Sequence, residues 1–117
     1  MMVDTLFFLL LGHFLGDFAF QSDQVAEGKR TSRLVLTRHV FIYTLTIAAA
    51  LALGLHLNGS EAFFSVLTIA VLAILFVQHW TQDFLKSHRF NGTRQAFYVD
   101  QGLHLLVLFL IRVVYPS

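Results

Sequence analysis

LVLTRHVFIYTLTIAAALALGLHL, residues 34–57, is an apolar run interrupted near its start by an arginine and a histidine. A hydrocarbon core of roughly 30 Å takes about 20 helical residues at 1.5 Å each, with about 17 to 25 the usual range. This run therefore reads as a transmembrane helix. Three more apolar runs flank it, over residues 5–20, 62–85 and 99–115. The second and third are separated by LHLNGSE (residues 55–61), whose Asn58, Gly59 and Ser60 break the pattern and predict a tight connection. The expectation is an all-α polytopic membrane protein. Its single domain, residues 1–117, would be a four-transmembrane-helix antiparallel bundle. The first run has neither a basic leader nor a small-residue cleavage site, so it is expected to stay attached. Its Gly12 and Gly16 form a small-xxx-small pair that favours close helix approach.

Composition agrees with a lipid environment and removes several alternatives. Of the 117 residues 56% are hydrophobic, and there is a single proline and no cysteine. The mean hydropathy is +0.69. Disulfide scaffolds and thiolate metal sites are excluded. A formal net charge of +1 offers no electrostatic footprint for nucleic acid, and none is expected as a partner. The 13 phenylalanines read as lipid-facing or packing residues. Trp80, Tyr98 and Tyr115 suit interfacial belts, and His56 and His88 the surface.

Charge also orients the chain. Lys29, Arg30, Arg33, Arg38, Lys86, Arg89 and Arg94 lie in or beside the two connections at residues 21–33 and 86–98, while Arg112 alone lies towards the other side. By the positive-inside rule those connections are cytoplasmic. The expected location is a bacterial inner membrane, multi-pass, with both termini periplasmic.

The apolar runs contain a recurrent interruption. His13 and Asp17, His79 and Asp83, and Asp100 and His104 are each spaced i, i+4 and so share a helix face. Three of the chain's five aspartates have such a partner, against roughly one in ten expected by chance, so the repetition calls for a cause. With alternating helix directions, His13, His39, His79 and His104 fall at one depth, roughly 10 Å from the cytoplasmic helix ends. Asp17, Asp83 and Asp100 lie nearer the mouth, with Gln21, Arg38, Lys86 and Gln101. Ionisable groups at that depth cost several kcal/mol each unless paired, hydrated or bound to a cation. A hydrogen-bonded His–Asp staple accounts for one such pair; three converging on one level point to a metal site.

Imidazole and carboxylate on consecutive turns suit a borderline divalent ion, and His13, Asp17, His79, Asp83, Asp100 and His104 together suffice for one or two ions of Zn, Mn or Fe. The chemistry expected is metal-dependent hydrolysis of a membrane lipid or lipid-linked (phospho)ester. His39, which could also ligate, or an unligated Asp is expected to act as general base, and Arg38 and Lys86 to hold the anion and stabilise developing charge. Two other roles compete. A metal-ion or proton transporter or channel component would need polar residues across the whole membrane, and a chain this small would need to form a homo-oligomer. A non-catalytic adaptor would bind a partner or anionic lipid through its basic loops and would not need the buried acids.

The motifs HFLGDFAFQSD from His13, AEGK at residues 26–29, RH at Arg38 and His39, HWTQDFLK from His79 and DQGLH from Asp100 occur in this order along the chain. As a set they resemble a family of small integral-membrane proteins of bacteria and phages, classed as domain of unknown function 3307, over nearly the whole chain. The resemblance implies a membrane fold and motif identity, with no reaction or ligand attached.

Overall fold

The computed structural model describes the backbone of residues 3–89 and 93–115, and the side chains of residues 3–86 and 93–115. The expectations for His88 and Arg89 lie outside the described side chains. The described residues are helical, with no strand among them. Helix α1 (Thr5–Phe14) begins where the Asp4 carboxylate accepts the Leu6 N–H, and runs on into a π-helical turn at Leu15–Ala19. Helix α2 (Asp23–Gly28) is short. Helices α3 (Arg33–Leu57), α4 (Val66–Arg89) and α5 (Arg94–Val114) are long.

Local chemistry sets the boundaries, and in places moves them from where hydropathy put them. Ser22, Ser32 and Thr93 cap α2, α3 and α5 by accepting the N–H groups of Val25, Val35 and Ala96. The Thr93 cap starts α5 at Arg94, five residues before the apolar run at residue 99. Helix α4 starts late, at Val66, because Ser60 and Ser65 hydroxyls bond the N–H and C=O of Ala62 and hold a turn there. Gly59, at φ 78°, closes the connection after α3. Helix α2 lies inside a stretch read as a loop, since a single helical turn after a serine cap carries no hydropathy signal.

Neighbouring helices run in opposite directions. Asn58 Nδ2 donates to the Val3 carbonyl at 2.8 Å at one end of the α1/α3 contact, and His39 Nε2 meets Asp17 Oδ1 at 3.1 Å towards the other. Arg112 Nε donates to Asp4 Oδ1 at 2.6 Å while Gln101 meets His13, which fixes α5 against α1. Thr68 and Tyr115 hydroxyls lie 2.6 Å apart, and Lys86 Nζ is 3.1 Å from Asp100 Oδ2, which fixes α4 against α5. Tyr115 is thus buried against Thr68 rather than placed in an interfacial belt: Val114 ends α5 just before it, and its hydroxyl finds an internal partner. Trp80 stacks on Phe84 and donates to Thr37, which ties α4 to α3.

Three helices, Arg33–Leu57, Val66–Lys86 and Arg94–Val114, are long and apolar enough to cross a membrane; Thr5–Ala19 is apolar but shorter. The longest dimension is 42 Å, close to a bilayer with its headgroups at about 40–45 Å. Large apolar side chains such as Phe7, Phe41, Ile69 and Phe109 face outward, each more than half exposed. The inward seams step by three or four residues: Leu36, Val40, Tyr43, Ile47, Leu51 and Leu55 on α3, and Asp100, His104, Leu108 and Ile111 on α5. All the buried His and Asp residues fall at one end of these seams. Leu9, Ile47, Leu51, Leu75 and Leu108 fill the middle.

Gly12 and Gly16 set the α1/α3 distance. A Cβ at Gly12 would stand 2.8 Å from the Ala50 Cβ, and one at Gly16 2.9 Å from Tyr43 Cδ2, so neither position tolerates a side chain without moving a helix. At the opposite end from the His/Asp residues, the Arg112 guanidinium, aided by the Leu6 N–H, holds the Asp4 carboxyl below its ordinary value. A depressed carboxylate stabilises above its unfolded pKa and stops doing so as pH falls through the folded one. Because the pair is exposed, Asp4→Asn should lower the thermal midpoint only slightly at neutral pH and not at all in strong acid.

Candidate metal centre

Asp17 comes from the π-helical turn of α1, His39 from the second turn of α3, His79 and Asp83 from α4, and Asp100 and His104 from α5. Each is no more than 5% exposed. The turn at Leu15–Ala19, closed by the Phe20 N–H on the Leu15 carbonyl at 2.8 Å, has a specific effect. It rotates Asp17 away from where a continued α-helix would put it, and His13 and Asp17 meet different partners. Asp17 reaches His39, whereas His13 goes elsewhere.

Two groups of donors result. One ligand atom from each of Asp17, His39, His79 and Asp83 lies within 4.8 Å of the others, and Asp83, Asp100 and His104 form a second such group. In the first group His39 Nε2 stands 3.1 Å from Asp17 Oδ1 and 3.4 Å from Asp83 Oδ2. His79 Nε2 stands 3.6 Å from Asp17 Oδ1 and 3.3 Å from Asp83 Oδ2, and the two imidazole nitrogens are 3.4 Å apart. Four ligands about 2.0–2.1 Å from a tetrahedral ion stand about 3.3–3.4 Å from one another. Those five separations therefore match the edges of an N₂O₂ cage for one divalent ion. In the second group His104 Nε2 is 3.5 Å from both Asp83 Oδ1 and Asp100 Oδ1. It is buried and makes no hydrogen bond of sound geometry. Asp83 thus presents one oxygen to each group.

Electrostatics point the same way. The carboxylates of Asp17, Asp83 and Asp100 meet two ammonium groups, Lys29 Nζ at 3.0 Å from Asp83 Oδ2 and Lys86 Nζ at 3.1 Å from Asp100 Oδ2. Among the described residues three buried carboxylates share two ammonium groups, and a divalent ion would supply further positive charge. Lys29, carried in by α2, stands where a cation would bind Asp83. Lys29→Gln should therefore tighten divalent-ion binding, by about tenfold if one competing ion pair near 1.4 kcal/mol is removed. Isothermal titration of the apo protein with Zn²⁺ measures this.

Around the donors lies a positioning shell. Gln101 Nε2 faces Asp100 Oδ2 at 3.2 Å and Asp17 Oδ2 at 3.5 Å, so its Oε1 faces His13 Nε2 at 2.8 Å. Carboxylates only accept, which fixes the amide orientation. His13 Nε2 then donates, and its Nδ1 accepts from the Tyr43 hydroxyl at 2.7 Å. With both nitrogens taken, His13 stands outside both donor groups. The Tyr43 ring lies 3.9 Å from the His79 ring, which in turn stacks on His104 at 4.3 Å, so one tyrosine positions three imidazoles directly or in turn. Gln82 Nε2 donates to the Asp100 carbonyl and to its Oδ1.

Of the residues singled out in the sequence, Asp17, His79, Asp83, Asp100 and His104 converge, and His39 joins them as a donor. Lys86 lies beside Asp100. Arg38 does not arrive: it is exposed, one residue and so about 100° around the helix from buried His39. The sequence reading did not find the roles of Tyr43 and Lys29. Tyr43 was findable, four residues after His39 on the same face, but Lys29 was counted with the solvated loop charges.

The family model described as a protein of unknown function (DUF3307) matches residues 5–117, and the chain belongs to that family. No curated protein and no solved structure matches it.

Proposed function

We propose that this member of the DUF3307 family is a bacterial inner-membrane protein of four antiparallel spans that holds two divalent ions at the cytoplasmic end and hydrolyses a lipid or lipid-linked (phospho)ester there. The observation that carries the reading is Asp83, whose two oxygens face two separate sets of buried donors. Helix α1 completes the four spans: it is short, yet lies antiparallel to α3 with Gly12 and Gly16 against it. The basic residues at the ends of α3, α4 and α5 favour a cytoplasmic His/Asp end by the positive-inside rule.

A pair of Zn²⁺, Mn²⁺ or Fe²⁺ ions would supply Lewis acidity and lower the pKa of water there. The chain's own residues do the rest. Asp17, His39, His79 and Asp83 hold one ion, and Asp83, Asp100 and His104 the other. His13, fixed by Tyr43 and Gln101, keeps the Gln101 amide aimed at the carboxylates. Lys86, a third exposed, holds an anionic group at the mouth. With His39 taken as a ligand and Arg38 turned outward, the general base falls to a carboxylate oxygen not committed to an ion.

The apolar side chains of Leu9, Ile47, Leu51, Leu75 and Leu108 beneath the cluster favour this over a conduit, which needs polar groups throughout. The buried acids favour it over an adaptor. The test is release of headgroup or phosphate from phospholipid vesicles by protein reconstituted with Zn²⁺, Mn²⁺ or Fe²⁺. Turnover should require the metal and fall at least about 100-fold in Asp83→Asn. Metal-replete protein that turns over none of a panel of neutral and anionic lipids would overturn the hydrolase reading.

A further inference from the structure

A groove of about 740 Å³ runs between α4 and α5 at the His/Asp end, within the range of about 300–1,000 Å³ typical of ligand sites. Its two walls differ, with Gln78, Thr81 and Gln82 among the residues that α4 contributes. Lys86, Thr93 and Gln95 line it at the helix ends, and Ala96, Val99 and Leu103 line it further along α5. Asp100 also lines it, so the groove reaches the second donor group directly. Deeper on α4, Gln78 Oε1 is buried in the groove wall with no donor facing it among the described residues.

We propose that this groove binds an anionic glycerophospholipid, its phosphate at Lys86 and an acyl chain along Ala96, Val99 and Leu103. The charge argument rests in part on the two-ion reading: two divalent ions with Lys86 exceed the three carboxylates and leave the groove's inner end net positive, which an anionic headgroup balances. Lys86 is paired with Asp100 at 3.1 Å but is a third exposed, so an anionic headgroup can share its ammonium group with or without the ions. Val99 is 57% exposed on the groove wall, open to the hydrocarbon from the side.

The test uses brominated lipids as contact quenchers of a single tryptophan. In full-length protein carrying Trp80→Phe, a reporter is placed in the groove by Val99→Trp, or on the outer face of α3 by Phe41→Trp, which is 55% exposed in the wild type. Each is reconstituted into vesicles of phosphatidylcholine and phosphatidylglycerol in which only one lipid is brominated. The groove reporter should favour phosphatidylglycerol by about fivefold, from one lysine's attraction at a membrane surface. The α3 reporter should show a ratio near one, and Lys86→Gln should bring the groove ratio to near one. Soluble glycerol phosphate should not displace the lipid. Equal quenching by both lipids at the groove reporter, a preference that survives Lys86→Gln, or displacement by glycerol phosphate overturns the proposal. Running each sample with chelator and with Zn²⁺, with zinc counted, separates the two readings: zinc bound without lipid preference refutes the groove alone. Lipid preference without zinc refutes the metal centre alone.

Discussion

Asp83→Asn should abolish the stabilisation that divalent ions confer on this protein while leaving the metal-free protein nearly as stable as before. The reasoning starts from the two oxygens of Asp83, one 3.3 Å from His79 Nε2 and the other 3.5 Å from His104 Nε2. Removing that carboxylate takes a ligand from both donor groups at once. Wild-type protein with Zn²⁺ at 100 times its dissociation constant should gain about 2.7 kcal/mol, a shift of several degrees in thermal midpoint for a chain this size. The variant should gain none. Under chelator, neutralising one of three crowded carboxylates offsets much of the lost pairing with Lys29, and the midpoint should move by no more than about 1 kcal/mol equivalent. If the cluster were instead a hydrogen-bonded staple, the same substitution would cost about 3–5 kcal/mol without any metal, because His39, His79 and His104 would lose a buried partner. Differential scanning fluorimetry in detergent, with and without Zn²⁺, separates the outcomes.

Gly16→Leu should cost the first donor group and spare the second. Even a Cβ there would lie 2.9 Å from Tyr43 Cδ2 and 3.3 Å from its Cα, against backbone that cannot yield. Helix α1 must move away from α3, and Asp17, one residue on, moves with it from His39 and His79. Overpacking of this kind costs about 1–3 kcal/mol, and the metal count should fall from two ions to one, since Asp83, Asp100 and His104 lie on α4 and α5. Gly102→Ala is the matched control. A Cβ there meets nothing within 4 Å, so a small gain of about 0.4–1 kcal/mol and an unchanged metal count are expected. A Gly16→Leu protein that keeps both ions would show that α1 does not supply a ligand.

Much of this was legible in the sequence. The apolar runs located the long helices because an apolar outer face and an apolar interior give one continuous hydropathy signal. The i, i+4 spacing of His79 with Asp83 and of Asp100 with His104 survived folding because both pairs sit in regular α-helix. His13 and Asp17 have the same spacing but straddle a π-helical turn, and residue spacing cannot reveal an inserted residue per turn. Arg38 beside His39 looked like part of the site, yet adjacent residues on a helix point in different directions. Lys29 was the reverse case: its loop position marked it as a solvated charge, but α2 folds back and brings it to Asp83 at 3.0 Å. Such long-range closure depends on tertiary contacts that local pattern does not carry.

The most direct measurement is the metal content of the detergent-purified protein, by elemental analysis without chelator and again after loading with Zn²⁺, Mn²⁺ or Fe²⁺. Wild-type chains should carry two ions each, and His79→Ala combined with Asp83→Asn none above background. A folded wild-type protein that retains no stoichiometric divalent ion under either condition would contradict this.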